Sequence, residues 1–215
     1  MSIGIMILGE SGTGKSTSMR NLDPEKTLLI QAIRKPLPFR SENWKYWNKE
    51  TSPDGNIFVT DDSVKIVQAI IQSSKEIIII DDWQYILCNE LMRRCDEKGY
   101  DKFTEIGRRA WDILNASISM NNNKRVYLLA HTNTDDSGKV RAKTIGKMLD
   151  DKVVVEGMFS IVLRTAVQNG NYLFSTRNNG SDTVKSPIGM FEDELIDNDL
   201  KAVDDAIIEF YNLGR

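Results

Sequence analysis

The segment from residue 9 to residue 16 has the residue types and spacing of a loop that binds phosphate. It reads Gly-Glu-Ser-Gly-Thr-Gly-Lys-Ser and matches the pattern G-x-x-x-x-G-K-[ST]. The glycines let the backbone curl so that successive N–H groups point inward at phosphate oxygens. The context makes the match specific, because the apolar run Ile3 to Leu8 before it is typical of a buried strand and helix-forming residues follow it. The segment therefore predicts a nucleotide-binding loop.

Two side chains at the end of this loop have distinct expected roles. Lys15 would reach the β- and γ-phosphates as an exposed ligand, and the Ser16 hydroxyl would bind Mg²⁺. Mg²⁺ suits such a site because it keeps several waters and takes only one or two protein oxygens. We therefore expect ATP and Mg²⁺ as cofactors. The predicted nucleotide contacts are Gly9, Glu10, Ser11, Gly12, Thr13, Gly14, Lys15, Ser16 and Thr17.

Two carboxylates follow a second apolar run. Residues 77–80 are four isoleucines, and Asp81 and Asp82 come directly after them. Four β-branched residues in a row are typical of a strand that is covered on both faces. We expect Asp81 to hold Mg²⁺ through water. Asp82 could polarise the attacking water or form the N-cap of a helix that starts at Trp83, and the two roles are not exclusive.

These motifs need a sheet that brings strand ends together, and the hydrophobic pattern predicts one. Strands alternate with helices, which indicates a mostly parallel sheet flanked by helices. Asp61 and Asp62 are expected to cap one helix at its N-terminus. The predicted inward face of that helix consists of Val64, Val67, Ile70 and Ile71. The predicted strands are 3–8, 27–30, 57–60, 77–80 and 126–130, and further predicted helices are 15–21, 83–95 and 103–120.

The pattern changes in the last third of the chain. Residues 159–167 and 172–177 flank a turn with Asn169-Gly170, which supplies the positive φ angles of a tight hairpin. A terminal helix is expected at 200–211, with Leu200, Val203, Ile207 and Phe210 facing inward. The expected fold class is α/β with a C-terminal antiparallel hairpin, and residues 1–215 are expected to form one domain.

Composition excludes several classes of protein. Apolar residues make up 40% and charged residues 27% of the chain, which excludes a disordered protein. The formal net charge is −3, so any contact with DNA must be local. No apolar run approaches the roughly 18 residues that a membrane span needs, and the first residues lack the basic region of a signal peptide. We expect a cytoplasmic protein with no membrane partner.

With both phosphate-site motifs in place, the chain resembles phage-encoded P-loop ATPases that consist of little more than a RecA-like core. This group includes the Sak-type single-strand annealing recombinases and the phage AAA nucleotide-binding proteins. Beyond residues 9–17 and 77–83, the resemblance rests on residues 143–159, 172–177 and 185–191, and it covers nearly the whole chain.

The resemblance implies a RecA-like sheet, ATP hydrolysis and assembly into homo-oligomers. It also implies action on single-stranded DNA in recombination, annealing or replication, within the cytoplasm of a bacterial host. A single-strand-binding protein is a further expected partner.

The resemblance implies roles for two residues at strand ends, Gln31 and His131. RecA-like ATPases carry a catalytic Glu at the end of the second strand, whereas this chain has Gln31 there and no acid before Glu42. Gln31 can orient a water but cannot take its proton, so either Asp82 is the base or hydrolysis is slow. His131, the sole histidine, follows the strand ending at Ala130, where RecA-like proteins sense the γ-phosphate. A hydrogen-bonded surface histidine is the alternative.

The polar segment 131–151 is the first DNA-binding candidate. In RecA-like proteins, loops at this sheet edge follow the phosphates of single-stranded DNA, and cations here would make affinity depend on salt. A solvated loop is the alternative, because aspartates dilute the charge. The candidate contacts are Lys139, Arg141, Lys143 and Lys147, with Lys152 close behind them.

A second candidate is the irregular segment 34–47. Its cations alternate with Trp44, Tyr46 and Trp47, on which bases could stack. The pattern favours the alternative, a satellite hydrophobic cluster that holds the segment to the domain.

Cations near the chain end are candidates for completing a neighbouring subunit's site. Oligomeric P-loop ATPases often use an Arg or Lys in this way to offset charge on the transferred phosphoryl group. Arg177 and Lys185 flank the Gly180 loop, where RecA-like proteins place such cations, whereas Arg164 alternates outward from its strand.

Two alternatives to a DNA-dependent ATPase stay open. One is a nucleotide-switched loader or assembly factor with slow hydrolysis, which the missing acid near Gln31 favours. The other is a small P-loop kinase, but a kinase would need an arginine-rich lid, and residues 139–152 contain one Arg.

Overall fold

The computed structural model describes residues 2–120, 123–145 and 153–213 of the chain. Eight strands form one sheet in the order β10-β9-β8-β1-β5-β4-β2-β3, and β6 and β7 form a separate antiparallel hairpin. In chain order, β1 to β10 are Ile3–Leu8, Thr27–Gln31, Ile57–Val59, Ile77–Asp81, Arg125–Ala130, Thr132–Thr134, Val140–Ala142, Ile161–Gln168, Asn171–Ser175 and Leu195–Asp197.

The sheet is parallel from β8 to β3. Its central strands are continuous apolar runs, and β4 and β5 are buried along their whole length. Parallel sheets bury both faces, which explains why these strands do not alternate polar and apolar residues. The predicted mostly parallel sheet is therefore confirmed.

The other edge of the sheet is antiparallel. β9 pairs with β8 through a tight turn, and β10 pairs with β9. Asn169 and Gly170 at the turn have φ of +51° and +80°, as an Asn-Gly hairpin requires. The predicted C-terminal hairpin is confirmed.

Helices cover both faces of the sheet. The α-helices α1 to α4 are Ser63–Gln72, Gln84–Arg93, Asp101–Ser119 and Leu200–Tyr211, and two 3₁₀ helices are Thr17–Asn21 and Val155–Met158. Helices α1, α2 and α3 pack on one face, while α4 and the first 3₁₀ helix pack on the other. None of the helices within the described residues is long and apolar enough to cross a membrane.

The segment after the phosphate loop differs from the prediction. We expect a helix from Lys15 to Asn21, but the structure has only a five-residue 3₁₀ helix that starts at Thr17. Pro24 disfavours helical backbone at the preceding residue, and β2 already begins at Thr27. Too few residues are left for a longer helix.

The predicted inward faces of two helices are partly wrong. Asp62 caps α1 by accepting from the N–H groups of Val64 and Lys65, as predicted. The buried residues of α1 include Ile66 and Ile70, however, while Val64 and Ile71 are exposed and line a shallow groove beside α3. On α4, Phe210 is exposed rather than buried. The apolar residues do recur at helical spacing, as predicted. The apolar face is wide, however, and the position of the neighbouring elements determines which part of it is buried.

The strand register brings several chain segments to one edge of the sheet. Leu8 of β1 lies opposite Ala130 of β5, and Gln31 of β2 lies opposite Asp81 of β4. All four strands run in the same direction, so the residues that follow them meet at the carboxyl edge.

Candidate functional site

The phosphate loop leaves β1 at Gly9. Gly12 and Gly14 have φ of +78° and +98°, in the left-handed region that favours glycine. A Cβ at Gly9 would lie 1.9 Å from Thr165 Oγ1. The Thr13 and Thr165 hydroxyls are 2.6 Å apart, and the Thr165 hydroxyl also donates to the last carbonyl of β1 at 3.2 Å. The loop is thus fastened to β8.

Lys15 is buried rather than exposed as predicted, with only 6% of its surface accessible. Its ammonium donates to the carbonyl oxygens of Gly9 at 2.9 Å and Glu10 at 2.8 Å. Burial lowers the pKa of Lys15, while the charges of Asp82 and Asp81 oppose that shift. The bound carbonyls belong to the loop itself, so the ammonium lies where phosphate oxygens could replace them.

Ser16 and Asp81 form the link between the loop and β4. The Ser16 hydroxyl donates to both carboxylate oxygens of Asp81, at 2.9 and 3.2 Å. Asp81 is 1% exposed, and its burial, followed by the charge of Asp82, raises its pKa. Within the described part of the chain, no group of three or more His, Cys, Asp or Glu could hold a metal. Two hard oxygens fit Mg²⁺, which takes only one or two oxygens from the protein in such sites.

Asp82 has a left-handed backbone with φ of +59°, which is uncommon outside glycine. Its carboxylate lines the pocket, where it pairs with Lys35 Nζ and lies 3.3 Å from His131 Nε2. The N-cap position of α2 is occupied by Trp83, and the helix has no side-chain cap. The helix-capping role for Asp82 is therefore wrong, and its carboxylate belongs to the site.

Lys35 is the second cation of the site, and sequence analysis did not assign it there. Its ammonium is bonded to Asp82 and lies 3.3 Å from Asp81 Oδ2. Burial would lower the pKa of Lys35, but the two carboxylates outweigh burial and raise it. Its backbone carbonyl accepts from Gln31 Nε2 and Tyr46 Oη, both at 3.2 Å. No periodic pattern could have found Lys35, because it lies in the irregular segment after β2.

Gln31 lies beneath this segment and does not line the pocket. It is 1% exposed, and its side-chain nitrogen binds the Lys35 carbonyl. Its Oε1 has no hydrogen-bond partner in the described structure. Gln31 does not line the pocket, and its predicted role in orienting a water stays a prediction.

His131 directly follows β5 and lines the pocket rather than the open surface. Its backbone N–H donates to Gln84 Oε1 at 3.3 Å, and the ring of Tyr85 stands edge-on at 6.3 Å between centroids. Burial, followed by the charge of Lys15, lowers the pKa of His131, so the imidazole is neutral at pH 7. A neutral Nε2–H can donate to Asp82.

A pocket of about 580 Å³ brings these groups together. Lys35 lies at one side, and Tyr172 of β9 lies beside Gly14, 3.1 Å from the position of a Cβ there. Tyr85 and Tyr172 were not predicted to line the site, because neither belongs to a phosphate-site motif. Six predicted nucleotide contacts line the pocket: Ser11, Gly12, Gly14, Lys15, Ser16 and Thr17.

Part of the predicted DNA-binding loop is the β6–β7 hairpin. Arg141 is exposed, and its Nε lies 3.0 Å from Asp135 Oδ2 in the same hairpin. Lys143 is exposed, and its backbone N–H donates to the His131 carbonyl at 2.7 Å. Lys139 is half-buried near the turn. Lys147 and Lys152 lie outside the described residues.

The cations proposed to act in trans do not line the pocket. Arg177 donates to two backbone carbonyls at residues 191 and 192, and Lys185 forms a backbone bridge to β8. Arg164 lies 3.5 Å from the buried Asp182. The action of Arg177 and Lys185 on a neighbouring subunit stays a prediction.

The aromatic segment 34–47 packs against the domain. Trp44 is buried and stands edge-on to Phe39, with ring centroids 6.2 Å apart. The Arg34 guanidinium lies 4.4 Å above the Tyr46 ring, and Trp47 is exposed. The satellite hydrophobic cluster is confirmed for most of these side chains, and Trp47 alone among the three predicted stacking residues is exposed.

The chain as a whole was compared with known proteins. No protein-family model matches it, and no curated protein matches it significantly. The geometry of the pocket is therefore the basis for a proposed function.

Proposed function

We propose that the chain binds Mg-ATP in this pocket and hydrolyses it, as a P-loop ATPase with a RecA-like core. The contact between Ser16 and Asp81 carries the proposal. A phosphate loop and a strand-end acid are the two halves of a Mg-nucleotide site, and here a single side-chain contact joins them.

The phosphate loop binds and orients the nucleotide in this proposal. Its N–H groups face the phosphates, and Lys15 exchanges the carbonyls of Gly9 and Glu10 for oxygens of the β- and γ-phosphates. Ser16 and Asp81 would hold Mg²⁺, which would help to neutralise the charge of the phosphates. The two residues already share hydrogen bonds, so their oxygens need little rearrangement.

Asp82 is the general base in this proposal. Asp82 has a positive φ, and its carboxylate lines the pocket. His131 Nε2 lies 3.3 Å from that carboxylate and fixes its orientation. A base must lie within hydrogen-bond reach of the proton that it removes, and Asp82 lies beside the metal-binding acid. Gln31 is a neutral amide and cannot take the proton in this step.

We further infer that the ATPase acts on single-stranded DNA, in recombination, annealing or replication, as the phage proteins that it resembles do. The β6–β7 hairpin supports this, because it starts directly after His131 and carries Lys139, Arg141 and Lys143. Through the hydrogen bond from Lys143 N–H to the His131 carbonyl, a shift of His131 on nucleotide binding would move the hairpin.

Two measurements test the proposal, namely equilibrium binding of Mg-ATP and ATP hydrolysis with and without single-stranded DNA. We expect binding, and turnover that DNA increases. A chain that does not bind Mg-ATP would overturn the whole proposal. A chain that binds and hydrolyses ATP without any response to DNA would overturn the DNA part alone.

A nucleotide-switched loader or assembly factor is the second candidate. It is favoured by the burial of Gln31 and by the ion pair that already engages Asp82 with Lys35. Turnover far below about 1 s⁻¹, the low end of the usual range, would support it. An ATP-dependent change in oligomeric state at such slow turnover would support it further.

A further inference from the structure

One ammonium group lies close to both of the acids at the end of β4, Asp81 and Asp82. Lys35 Nζ is bonded to Asp82 and lies 3.3 Å from Asp81 Oδ2. The Asp81 oxygens are also the acceptors of the Ser16 hydroxyl, and they are the metal ligands in the function proposed above. Lys35 and a metal ion would therefore compete for the same carboxylate.

The Lys35 side chain can leave the acids while its backbone stays in place. Two donors, Gln31 Nε2 and Tyr46 Oη, hold its carbonyl. Pro36 follows it and has a fixed φ. The side chain itself is 36% exposed and carries its charge on a flexible four-carbon stem. The position of the backbone thus does not depend on the ion pair.

The charges of the pocket indicate where the ammonium would go. Asp81 and Asp82 lie close to both Lys15 and Lys35, so two carboxylates face two ammonium groups. When Asp81 binds a metal ion, Lys35 loses one of its two acceptors. Lys35 and Lys15 line the same pocket, and Lys15 is the expected ligand of the β- and γ-phosphates.

We propose that Lys35 binds the γ-phosphate within its own chain once Mg-ATP enters, and that this contact makes the site prefer ATP to ADP. The inference rests on the proposed function. ADP has no γ-phosphate, so with ADP the ammonium keeps only Asp82 as its partner. ATP recognition is then complete without a cation from a neighbouring subunit, whereas Arg177 and Lys185 lie outside the pocket.

Paired affinities for Mg-ATP and Mg-ADP test the proposal, measured by calorimetry at one ionic strength. Lys35→Met removes the charge and keeps most of the stem. We expect it to weaken ATP binding about 10- to 100-fold, the usual scale of a hydrogen bond between charged groups. Binding of ADP should change by no more than about 3-fold, because ADP lacks the group that Lys35 contacts. Lys35→Arg should keep most of the preference for ATP.

Lys49→Met is the matched control, because Lys49 is exposed and outside the pocket. It should leave both affinities unchanged. If Lys35→Met does not fold, Lys35→Gln gives the same readout, since it also removes the charge. Equal losses for ATP and ADP, or no loss for either, would mean that Lys35 is only a structural ion pair. A parent protein that binds neither nucleotide would instead overturn the proposed function.

Discussion

The carboxyl edge of the sheet and the β6–β7 hairpin both carry charged residues with predicted roles, but they hold them differently. At the sheet edge, charges from separate elements pair with one another, as Lys35 does with Asp81 and Asp82. On the hairpin, Arg141 pairs with Asp135 of the same hairpin, at the surface. Buried charges need partners, whereas exposed ones do not. The fold therefore fixes the charged side chains of the sheet edge more tightly than the exposed charged side chains of the hairpin.

The largest expected effect is at the sheet edge. Lys15→Ala should weaken Mg-ATP binding by more than about 100-fold, because two charge-assisted contacts to phosphate are lost. The free energy of unfolding should stay close to that of the parent, since the variant also removes the cost of burying the ammonium. Calorimetric titration and urea denaturation measure the two quantities. An unchanged affinity for ATP would contradict the assignment of the phosphate site.

The second-largest expected effect distinguishes the roles of Asp82 and Gln31 at the same edge of the sheet. Asp82→Asn should bind Mg-ATP nearly normally but lose about 100-fold or more in turnover, the usual scale for a lost general base. Gln31→Ala should affect turnover less, because a neutral amide cannot act as the base. Steady-state hydrolysis of both variants gives the comparison. If Gln31→Ala caused the greater loss, the roles of the two residues would be reversed.

The hairpin should show a smaller effect that depends on salt. Each cation that meets a DNA phosphate adds close to one unit to the slope of log affinity against log salt concentration. Replacing Arg141 and Lys143 together by Ala should lower that slope by about 1 to 2 units. The lower value is expected if Arg141 keeps its partner Asp135. Salt titrations of single-stranded DNA binding measure the slope, and a parental slope would assign these cations to a solvated surface.

The smallest expected effect concerns pH. The pKa of His131 is lowered in the folded chain, so the unfolded chain takes up a proton at higher pH than the folded one. The free energy of unfolding should therefore fall as the pH drops below about 6.5 toward the folded pKa. His131→Gln should reduce that fall. Denaturation curves at pH 7 and pH 5 give the comparison, and an identical pH dependence in both proteins would argue against a buried, neutral imidazole.

The contrast between the two regions also explains what the sequence could predict. Asp81 and His131 were found because they follow apolar runs, and parallel strands that pair in register end at the same edge. Lys35 was missed because an irregular segment has no period that fixes where a side chain points. The burial of Gln31 was missed for a related reason, since a strand buried on both faces gives no alternation to show the direction of its last residue.

The attachment of the phosphate loop to β8 has a consequence for the order of folding. Thr165 lies 152 positions after Thr13, and β1 pairs with β5 and β8, both of which come later in the chain. Closing so long a segment costs chain entropy before the contact forms, so such contacts form late. A nascent chain that stops before β8 contains the whole phosphate-loop motif but lacks the hydroxyl that fastens it. Nucleotide binding should therefore become possible only after β8 has been made and has paired with β1, because Thr165 follows Thr13 of the motif by 152 positions.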